Sequence, residues 1–211
     1  MTPARQPPPA PMPAGLVVLL LALLLGLQPL TTDLYLPALP ALTLDLGATM
    51  HQAQLTLSAL LLAFGFSQLF WGPLSDRYGR RPILLAGLAL YALASVGSVF
   101  AANVEQLVLW RIVQGAALGA AVMGARAIVR DLYAPVEGAR MMSKGLTGLG
   151  VLACISAPLG GLLSDWMGWR AALGVLALFG AAVLALVLWR FEESLRQPNP
   201  LALRPAVLLR T

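Results

Sequence analysis

The chain has little charge for its length and only one cysteine. Of its 211 residues, 11% are Asp, Glu, Lys or Arg, against 59% that are hydrophobic, whereas a soluble domain carries about 25% charged residues. So much apolar surface exceeds what one compact core can bury, so the composition argues against an ordinary soluble domain and favours a bilayer. Cys154 has no second cysteine to bond with, which excludes a disulfide within the chain.

The basic residues form no nucleic-acid surface, although the net charge is +5. They are scattered singly between apolar stretches without an aromatic-flanked stripe, which argues against nucleic acid as a partner. The sequence also lacks metal-ligand spacing, a phosphate loop and a nucleophile constellation, so we predict neither an enzyme nor a metal site. His51, in the connection after the first apolar stretch, is interpreted as a solvated side chain rather than a ligand.

Six apolar stretches are each long enough to cross a membrane, which takes about 20 mostly apolar residues in a helix. Their short connections require neighbouring helices to run antiparallel. No stretch alternates apolar and polar residues as a strand of a membrane barrel does. The first stretch is somewhat long for a signal-peptide core and lacks a small-x-small cleavage pattern, so we prefer a membrane helix there. The predicted fold is an all-α integral membrane domain at 15–190, with helices expected at about 15–38, 52–72, 82–102, 106–128, 141–163 and 170–190.

Positive charges predict the orientation of these helices, because short cytoplasmic connections are enriched in Lys and Arg. With the N-terminus inside, eleven of the fourteen Lys and Arg residues are cytoplasmic and only Arg170 is outside. Arg170 follows Trp169, and the pair is expected to be a structural anchor at the membrane interface. Both termini are therefore predicted to be cytoplasmic, with a tail at 1–14 and the start of a central loop at 191–211.

The strongest motif lies between the second and third stretches, at 72–82, and reads GPLSDRYGRRP. Gly72 and Gly79 would permit a tight basic turn, and Asp76 could cap a helix or pair with a guanidinium. On charge alone, this segment is a positive-inside anchor. The whole pattern resembles the loop signature of the major facilitator superfamily, and the resemblance implies a gating role for Gly72, Asp76, Arg77, Gly79, Arg80 and Arg81.

An arginine lies inside the fourth stretch, in the run Arg111-Ile112-Val113-Gln114-Gly115. A charge there costs about 2.5–3.5 kcal/mol on insertion scales, so it should face a polar cavity or a partner, or else snorkel to the outer surface. The run resembles the Arg-x-x-Gln-Gly element of the same superfamily, in which this arginine is linked to proton coupling. The resemblance therefore implies a coupling role for Arg111 and Gln114.

An acidic residue, Asp33, follows a long apolar run in the first stretch and opens the string DLYLPALP at 33–40. Apolar surroundings favour the neutral form of a carboxyl group, which is the behaviour that a reversible proton carrier needs. The alternative is an interfacial acid near the outer end of the helix. The string resembles the Bcr/CflA drug-resistance branch of the superfamily, which implies that Asp33 takes part in substrate and proton handling.

The end of the fourth stretch, RAIVRDLY at 126–133, is also typical of that branch. The resemblance implies an ionic network across the cytoplasmic face that latches the outward-facing state. Each member could instead belong to a solvated helix end. The residues expected to pair in this network are Arg126, Arg130 and Asp131 with Asp76 and Arg77.

The fifth stretch contains Pro158-Leu159-Gly160-Gly161, which resembles an antiporter signature that ends Gly-Pro-x-x-Gly-Gly. Ala157 replaces the first glycine, and one residue is missing between the proline and the glycine pair. We expect Pro158 to kink the helix. The departure from the signature means that this motif alone does not establish antiport.

The resemblance covers about residues 15–195, but only half of a usual family member. Members have two six-helix halves, each built of two inverted three-helix repeats, with the substrate site between the halves. The resemblance implies proton-coupled export of drug-like small molecules across the inner membrane, powered by a proton gradient without a cofactor. We expect an N-terminal half that is a fragment, a truncated product, or a partner of a second half or second copy. A truncated non-transporting membrane protein or assembly partner is the alternative, and uptake is a lesser variant of transport.

Overall fold

The structure, a computed structural model, describes residues 12–195, and that part of the chain is helical with no strand. The predicted tail and loop fall mostly on 1–11 and 196–211, which lie outside the described residues. A short 3-10 turn at Leu36–Ala38 separates the first two helices. The helices are α1 (Ala14–Asp33), α2 (Leu39–Leu46), α3 (Met50–Tyr78), α4 (Arg80–Val99), α5 (Val104–Leu132), α6 (Pro135–Met167) and α7 (Trp169–Arg190).

These helices provide six segments that are long and apolar enough to cross a membrane. The first of them, Ala14–Leu46, consists of α1, the 3-10 turn and α2, and each later helix forms one segment. The predicted all-α membrane domain with six helices is therefore confirmed. Several helices extend beyond the apolar stretches, because capping and hydrogen bonding continue a helix into polar sequence.

The tight turn predicted at 72–82 is wrong in its extent. α3 continues through Gly72 to its end and α4 begins at Arg80, so the chain changes direction at Gly79 alone. Gly79 has φ +104°, a backbone conformation that side chains disfavour. Gly72 is an ordinary helical residue, and a Cβ there would be in normal contact with Met123 at 3.5 Å.

α5 is the central helix of the bundle. It packs against α3 and α4 and touches α1, while α1 packs on α6 and α4 packs on α7. It is also the most buried of the six segments, whereas α3 and α6 are the least buried. Gly115 lies so close to α3 that a Cβ would overlap the carbonyl oxygen of Leu60, so glycine permits this approach.

Two buried apolar clusters lie along the bundle, with polar side chains between them. On α5, Leu118 belongs to one cluster and Leu107 to the other. Arg111 and Gln114 lie between these two leucines and are fully buried. α5 therefore carries a buried polar layer where the two clusters meet.

The two ends of the bundle differ in charge. The basic end is defined by Gly79, Arg80 and Arg130, and the Asp45 end by Asp45 and Arg170. α5 runs from the Asp45 end at Val104 to the basic end at Leu132. The two clusters and the polar layer between them lie between these ends.

Trp169 and Arg170 have the structural role that the sequence suggested, while their position at the membrane interface stays a prediction. Trp169 is only 3% exposed, and its Nε1 donates a hydrogen bond of 2.9 Å to Asp45 Oδ2. Arg170 forms an ion pair with the same carboxylate, and its Nη2 donates to the Ala101 carbonyl oxygen at 3.3 Å. The two side chains therefore join the end of α2, the start of α7 and the α4–α5 connection.

Candidate functional site

The centre of the candidate site is Arg111, which is 0% exposed. Its Cζ lies 3.7 Å from the ring centroid of Tyr35, a cation–π arrangement. Its Nη1 donates to Gln114 Oε1 at 2.9 Å. Nε and Nη2 have no hydrogen-bond partner within residues 12–195. Arg111 therefore does not snorkel toward the surface, because its whole side chain lies within the polar layer.

Gln114 is held in place by Ser95 of α4. Gln114 Nε2 donates to Ser95 Oγ at 2.7 Å, and Ser95 Oγ donates its own hydrogen to the Tyr91 carbonyl oxygen at 2.7 Å. A serine hydroxyl has one hydrogen, so Ser95 must be the acceptor toward Gln114. This arrangement turns the amide oxygen of Gln114 toward Arg111.

Two buried tyrosines are anchored by threonine hydroxyls in the same layer. The Tyr35 hydroxyl lies 2.7 Å from Thr56 Oγ1, which itself donates to a carbonyl one turn earlier in α3 at 2.6 Å. The Tyr91 hydroxyl lies 2.6 Å from Thr31 Oγ1, which donates to a carbonyl of α1 at 2.5 Å. Each threonine hydrogen is thus used, so each tyrosine is the donor.

Our sequence analysis missed five of the polar side chains around Arg111 and Gln114. Tyr35 lies within the string that identified Asp33, but the ring itself was not singled out. The available signal was a set of hydroxyl side chains inside apolar stretches, whose buried hydroxyls require partners. The missed residues are Thr31, Tyr35, Thr56, Tyr91 and Ser95.

Asp33 is the last residue of α1, and its side chain is half-buried rather than enclosed. Its Oδ1 accepts a hydrogen bond of 2.9 Å from Thr32 Oγ1. None of the ion pairs within residues 12–195 joins Asp33 to Arg111. Only Leu34 separates Asp33 from Tyr35, so the carboxylate lies at the helix break that contributes the ring over Arg111.

The glycine pair of the fifth stretch packs against that same break. A Cβ at Gly160 would overlap the carbonyl oxygen of Leu34, and one at Gly161 would lie 3.9 Å from Pro37. α6 passes through Pro158 as one continuous helix. Gly160 therefore lets the α6 backbone approach the first segment closely, while the kink at Pro158 stays a prediction.

Arg80 organises the cluster at the basic end. It is 3% exposed, and its Nη1 lies 2.6 Å from Asp76 Oδ1 and 3.0 Å from Ser75 Oγ. Its Nε donates to Asp131 Oδ2 at 2.8 Å. Asp76 Oδ1 also lies 3.6 Å from Arg130 Nη2. The cluster therefore ties the end of α3 and the start of α4 to the end of α5.

The pairing that we predicted for this cluster is correct only in part. Asp76 and Arg130 are brought together as expected. Asp131 pairs with Arg80 and not with Arg77. Arg77 is exposed, and its Cζ lies 5.2 Å from the ring centroid of Tyr78. Residue 77 belongs to the last turn of α3, whereas residue 80 begins the helix that packs on α5.

Arg126 is exposed on α5, one turn before Arg130. Both arginines line a cavity of about 770 Å³, together with Phe70, Met123 and Asp76. Within residues 12–195, no ion pair involves Arg126. The cavity is therefore partly apolar and partly basic, with Arg130 rather than Arg126 paired to the acidic residue.

Glu193 also belongs to the basic-end cluster, although our sequence analysis did not select it. Its Oε1 accepts from the Arg80 backbone N–H at 2.8 Å, and its Oε2 accepts from that of Arg81 at 3.0 Å. These are the first N–H groups of α4, and a carboxylate there complements the helix dipole. Arg81 also donates through Nη2 to the Leu188 carbonyl oxygen at 2.9 Å. The only signal was an acidic pair after the last apolar stretch.

No group of three His, Cys, Asp or Glu side chains within residues 12–195 is arranged to hold a metal ion. His51 is exposed in the first turn of α3. Cys154 is a free, exposed cysteine on α6.

Comparisons with known proteins agree with this architecture. The family profile of the Major Facilitator Superfamily matches residues 21–210. The chain is 38% identical over 194 residues to a chloramphenicol resistance protein of Pseudomonas aeruginosa, covering 91% of this chain and 46% of that protein. It is 33% identical over 194 residues to a bicyclomycin resistance protein homolog of Haemophilus influenzae, covering 92% of this chain and 48% of that protein. The chain thus spans about half the length of these curated relatives.

A solved structure of a proton:xylose symporter shares the fold, with a TM-score of 0.72 at 17% identity, covering 83% of this chain and 44% of that one. The resemblance to the Bcr/CflA branch is confirmed by the relatives named for chloramphenicol and bicyclomycin resistance. The chain belongs to the major facilitator superfamily, whose members are multi-pass membrane transporters rather than enzymes.

Proposed function

We propose that this chain is the N-terminal six-helix unit of a proton-coupled exporter of drug-like small molecules, with Arg111 and Asp33 as its coupling residues. The observation that carries the proposal is the unpaired edge of Arg111. Nε and Nη2 lie on the same edge of the planar guanidinium and together match the two oxygens of a carboxylate. Because a buried charge is costly unless it is paired, a carboxylate at this edge would stabilise one state of the transporter.

Asp33 is the acidic residue best placed to supply that carboxylate. It lies at the helix break next to the Tyr35 segment, and its side chain is half-buried, so protons can reach it. An ionised Asp33 bound to Arg111 and a protonated Asp33 released from it are states of different charge. A proton gradient shifts the equilibrium between two such states if each state has a different affinity for the proton.

Alternating access requires two bodies that move against each other around a central site. The six helices form one such body, and a second six-helix unit would complete the transporter. α3 and α6 support this proposal, because they are the least buried segments and expose large apolar side chains such as Phe66 and Ile155. The second unit could be further sequence of the same protein, a separate chain or a second copy. We place the assembly in the inner membrane with the basic end in the cytoplasm.

Export can be tested in a bacterial strain that lacks its own drug exporters. Cells expressing this chain together with a second six-helix unit should accumulate less chloramphenicol or bicyclomycin, the compounds for which the relatives are named. Collapse of the pH gradient should abolish the difference. Asp33→Asn should remove the gradient dependence, because an amide does not ionise. Arg111→Lys should lower export at least ~10-fold, because an ammonium lacks the planar pair of donors.

Asp165→Asn is the matched control, since Asp165 is exposed on α6 and takes no part in the hydrogen bonds of the polar layer. It should export like the unchanged protein at every pH. Full gradient-dependent export by Asp33→Asn would refute the coupling role of that carboxylate. An assembly of this chain with a second six-helix unit that inserts but exports nothing would favour the alternative, a non-transporting membrane protein or assembly partner.

A further inference from the structure

We propose that Tyr35 is a positioning residue for Arg111, holding the guanidinium by the face of its ring and leaving the Nε–Nη2 edge available to an acidic partner. The inference rests on the proposed coupling function and adds a residue to it. Both side chains are fully buried, and the ring centroid lies 3.7 Å from Arg111 Cζ. A desolvated guanidinium over an aromatic face is a favourable cation–π contact.

The way in which Tyr35 contacts Arg111 matters as much as the contact itself. A carboxylate neutralises arginine by occupying its N–H groups, whereas an aromatic ring stabilises the charge from above and below the guanidinium plane. Of the N–H-bearing atoms, Nη1 is engaged by Gln114, while Nε and Nη2 have no partner within residues 12–195. Tyr35 therefore compensates part of the burial cost of Arg111 without competing for the carboxylate-binding edge.

The ring of Tyr35 is fixed from more than one helix. Its hydroxyl donates to Thr56 of α3 at 2.7 Å, and Thr56 is itself anchored to the α3 backbone. Its backbone belongs to the break between α1 and α2, where Gly160 of α6 packs on the preceding residue, Leu34. Relative movement of α3 and α1 would therefore tilt the ring away from Arg111. This links the arrangement of Arg111 to the arrangement of three membrane helices.

Tyr91 is a built-in comparison for Tyr35. It is equally buried, and its hydroxyl lies 2.6 Å from Thr31 Oγ1, the same type of bond as that of Tyr35 to Thr56. Within residues 12–195, Tyr35 is the aromatic residue whose ring stacks on Arg111. In the part of the chain that the structure describes, the titratable side chains of the polar layer besides Arg111 are Tyr35 and Tyr91, both fully buried. α3 and α4 contribute the non-titrating hydroxyls of Thr56 and Ser95 to this layer.

The experiment compares Tyr35→Phe, which keeps the ring, with Tyr35→Leu, which removes it. The pH-dependent ionisation of Asp33 is followed by infrared spectroscopy of its carboxyl band, assigned as the band lost in Asp33→Asn. In Tyr35→Leu the charge of Arg111 loses the stabilising ring, so Arg111 should attract the Asp33 carboxylate more strongly. The midpoint of the Asp33 carboxyl titration should therefore move down by ~0.5 pH unit or more. Tyr35→Phe should titrate like the unchanged protein. Drug export measured in parallel should fall at least ~10-fold in Tyr35→Leu and less than ~3-fold in Tyr35→Phe.

Tyr91→Leu controls for the loss of a buried aromatic side chain. It should lower the melting temperature about as much as Tyr35→Leu, but leave the Asp33 titration in place. The inference is overturned if Tyr35→Leu and Tyr35→Phe titrate alike, or if Tyr91→Leu shifts the titration equally. Because the infrared titration needs no transport, a shifted titration in a protein that does not export would refute the proposed function and retain the positioning role.

Discussion

Arg80 and Arg77 belong to the same motif but have different surroundings. Arg80 is buried between the carboxylates of Asp76 and Asp131, whereas Arg77 is exposed. We expect Arg80→Ala to lower the free energy of unfolding by roughly 3 kcal/mol, because it leaves the largely buried Asp131 without a cation. Arg77→Ala should change it by less than about 0.5 kcal/mol, as is usual for exposed positions. Thermal unfolding in detergent measures both.

Arg80→Lys refines this comparison. A lysine can reach one carboxylate as a point charge, but it cannot bridge two as the fork of arginine does. The free energy of unfolding of Arg80→Lys should therefore lie between that of the unchanged protein and that of Arg80→Ala. Equal losses in Arg77→Ala and Arg80→Ala would show that the ionic contacts at Arg80 do not determine the stability of this end.

At the residue scale, the sequence was a better guide to which polar and charged residues are important than to which residues they pair with. Arg111 stood out because a charge is costly in an apolar helix, and Gln114 because its run resembles a family element; both prove to be buried and hydrogen-bonded. Asp131 was assigned to the wrong arginine. Glu193 was missed because its partner N–H groups lie more than 110 residues earlier in the chain. Such pairs depend on how helices pack, which no local pattern reports.

At the scale of the helices, hydropathy located all six segments but misplaced several ends. α3 begins before the apolar stretch because Thr49 and Gln52 form a reciprocal capping box, with hydrogen bonds of 2.9 and 3.2 Å. Asn103 caps α5 by accepting from the Gln106 backbone N–H at 2.9 Å. Helix ends are determined by such hydrogen bonds, whereas hydropathy reports only what can lie in lipid.

Two glycines of α6 provide a test of helix packing. A Cβ at Gly160 would overlap the Leu34 carbonyl oxygen, whereas a Cβ at Gly150 would have nothing within 4 Å. We expect Gly160→Ala to push α6 from α1 and to lower the unfolding free energy by about 1–3 kcal/mol, as overpacking does. Gly150→Ala should be neutral or stabilising by up to about 1 kcal/mol, since alanine favours helix. Unfolding in detergent measures both free energies. A larger loss in Gly150→Ala than in Gly160→Ala would contradict the observed α1–α6 contact.

For the whole molecule, composition and motifs were sufficient to predict the membrane location, the six segments and the family. They did not predict that α5 is central or that a polar layer separates two apolar clusters. The apolar residues surround each helix almost completely, so the sequence does not reveal which face turns inward. Gly115 and Gly119 are the exception, because their spacing of four places both on one face, and both lie against α3.

The orientation of the bundle is open to a direct test with two matched variants. Ala102 and Ala134 are exposed in the connections at opposite ends of α5. The eleven cytoplasmic Lys and Arg residues of the preferred topology would hold the basic end inside, because basic connections resist translocation. In a Cys154→Ser background, Ala102→Cys should therefore react with a membrane-impermeant maleimide in intact cells, and Ala134→Cys only after permeabilisation. Cys154→Ser alone should not react, and labelling of Ala134→Cys in intact cells would reverse the topology and move the Arg80 cluster to the outside.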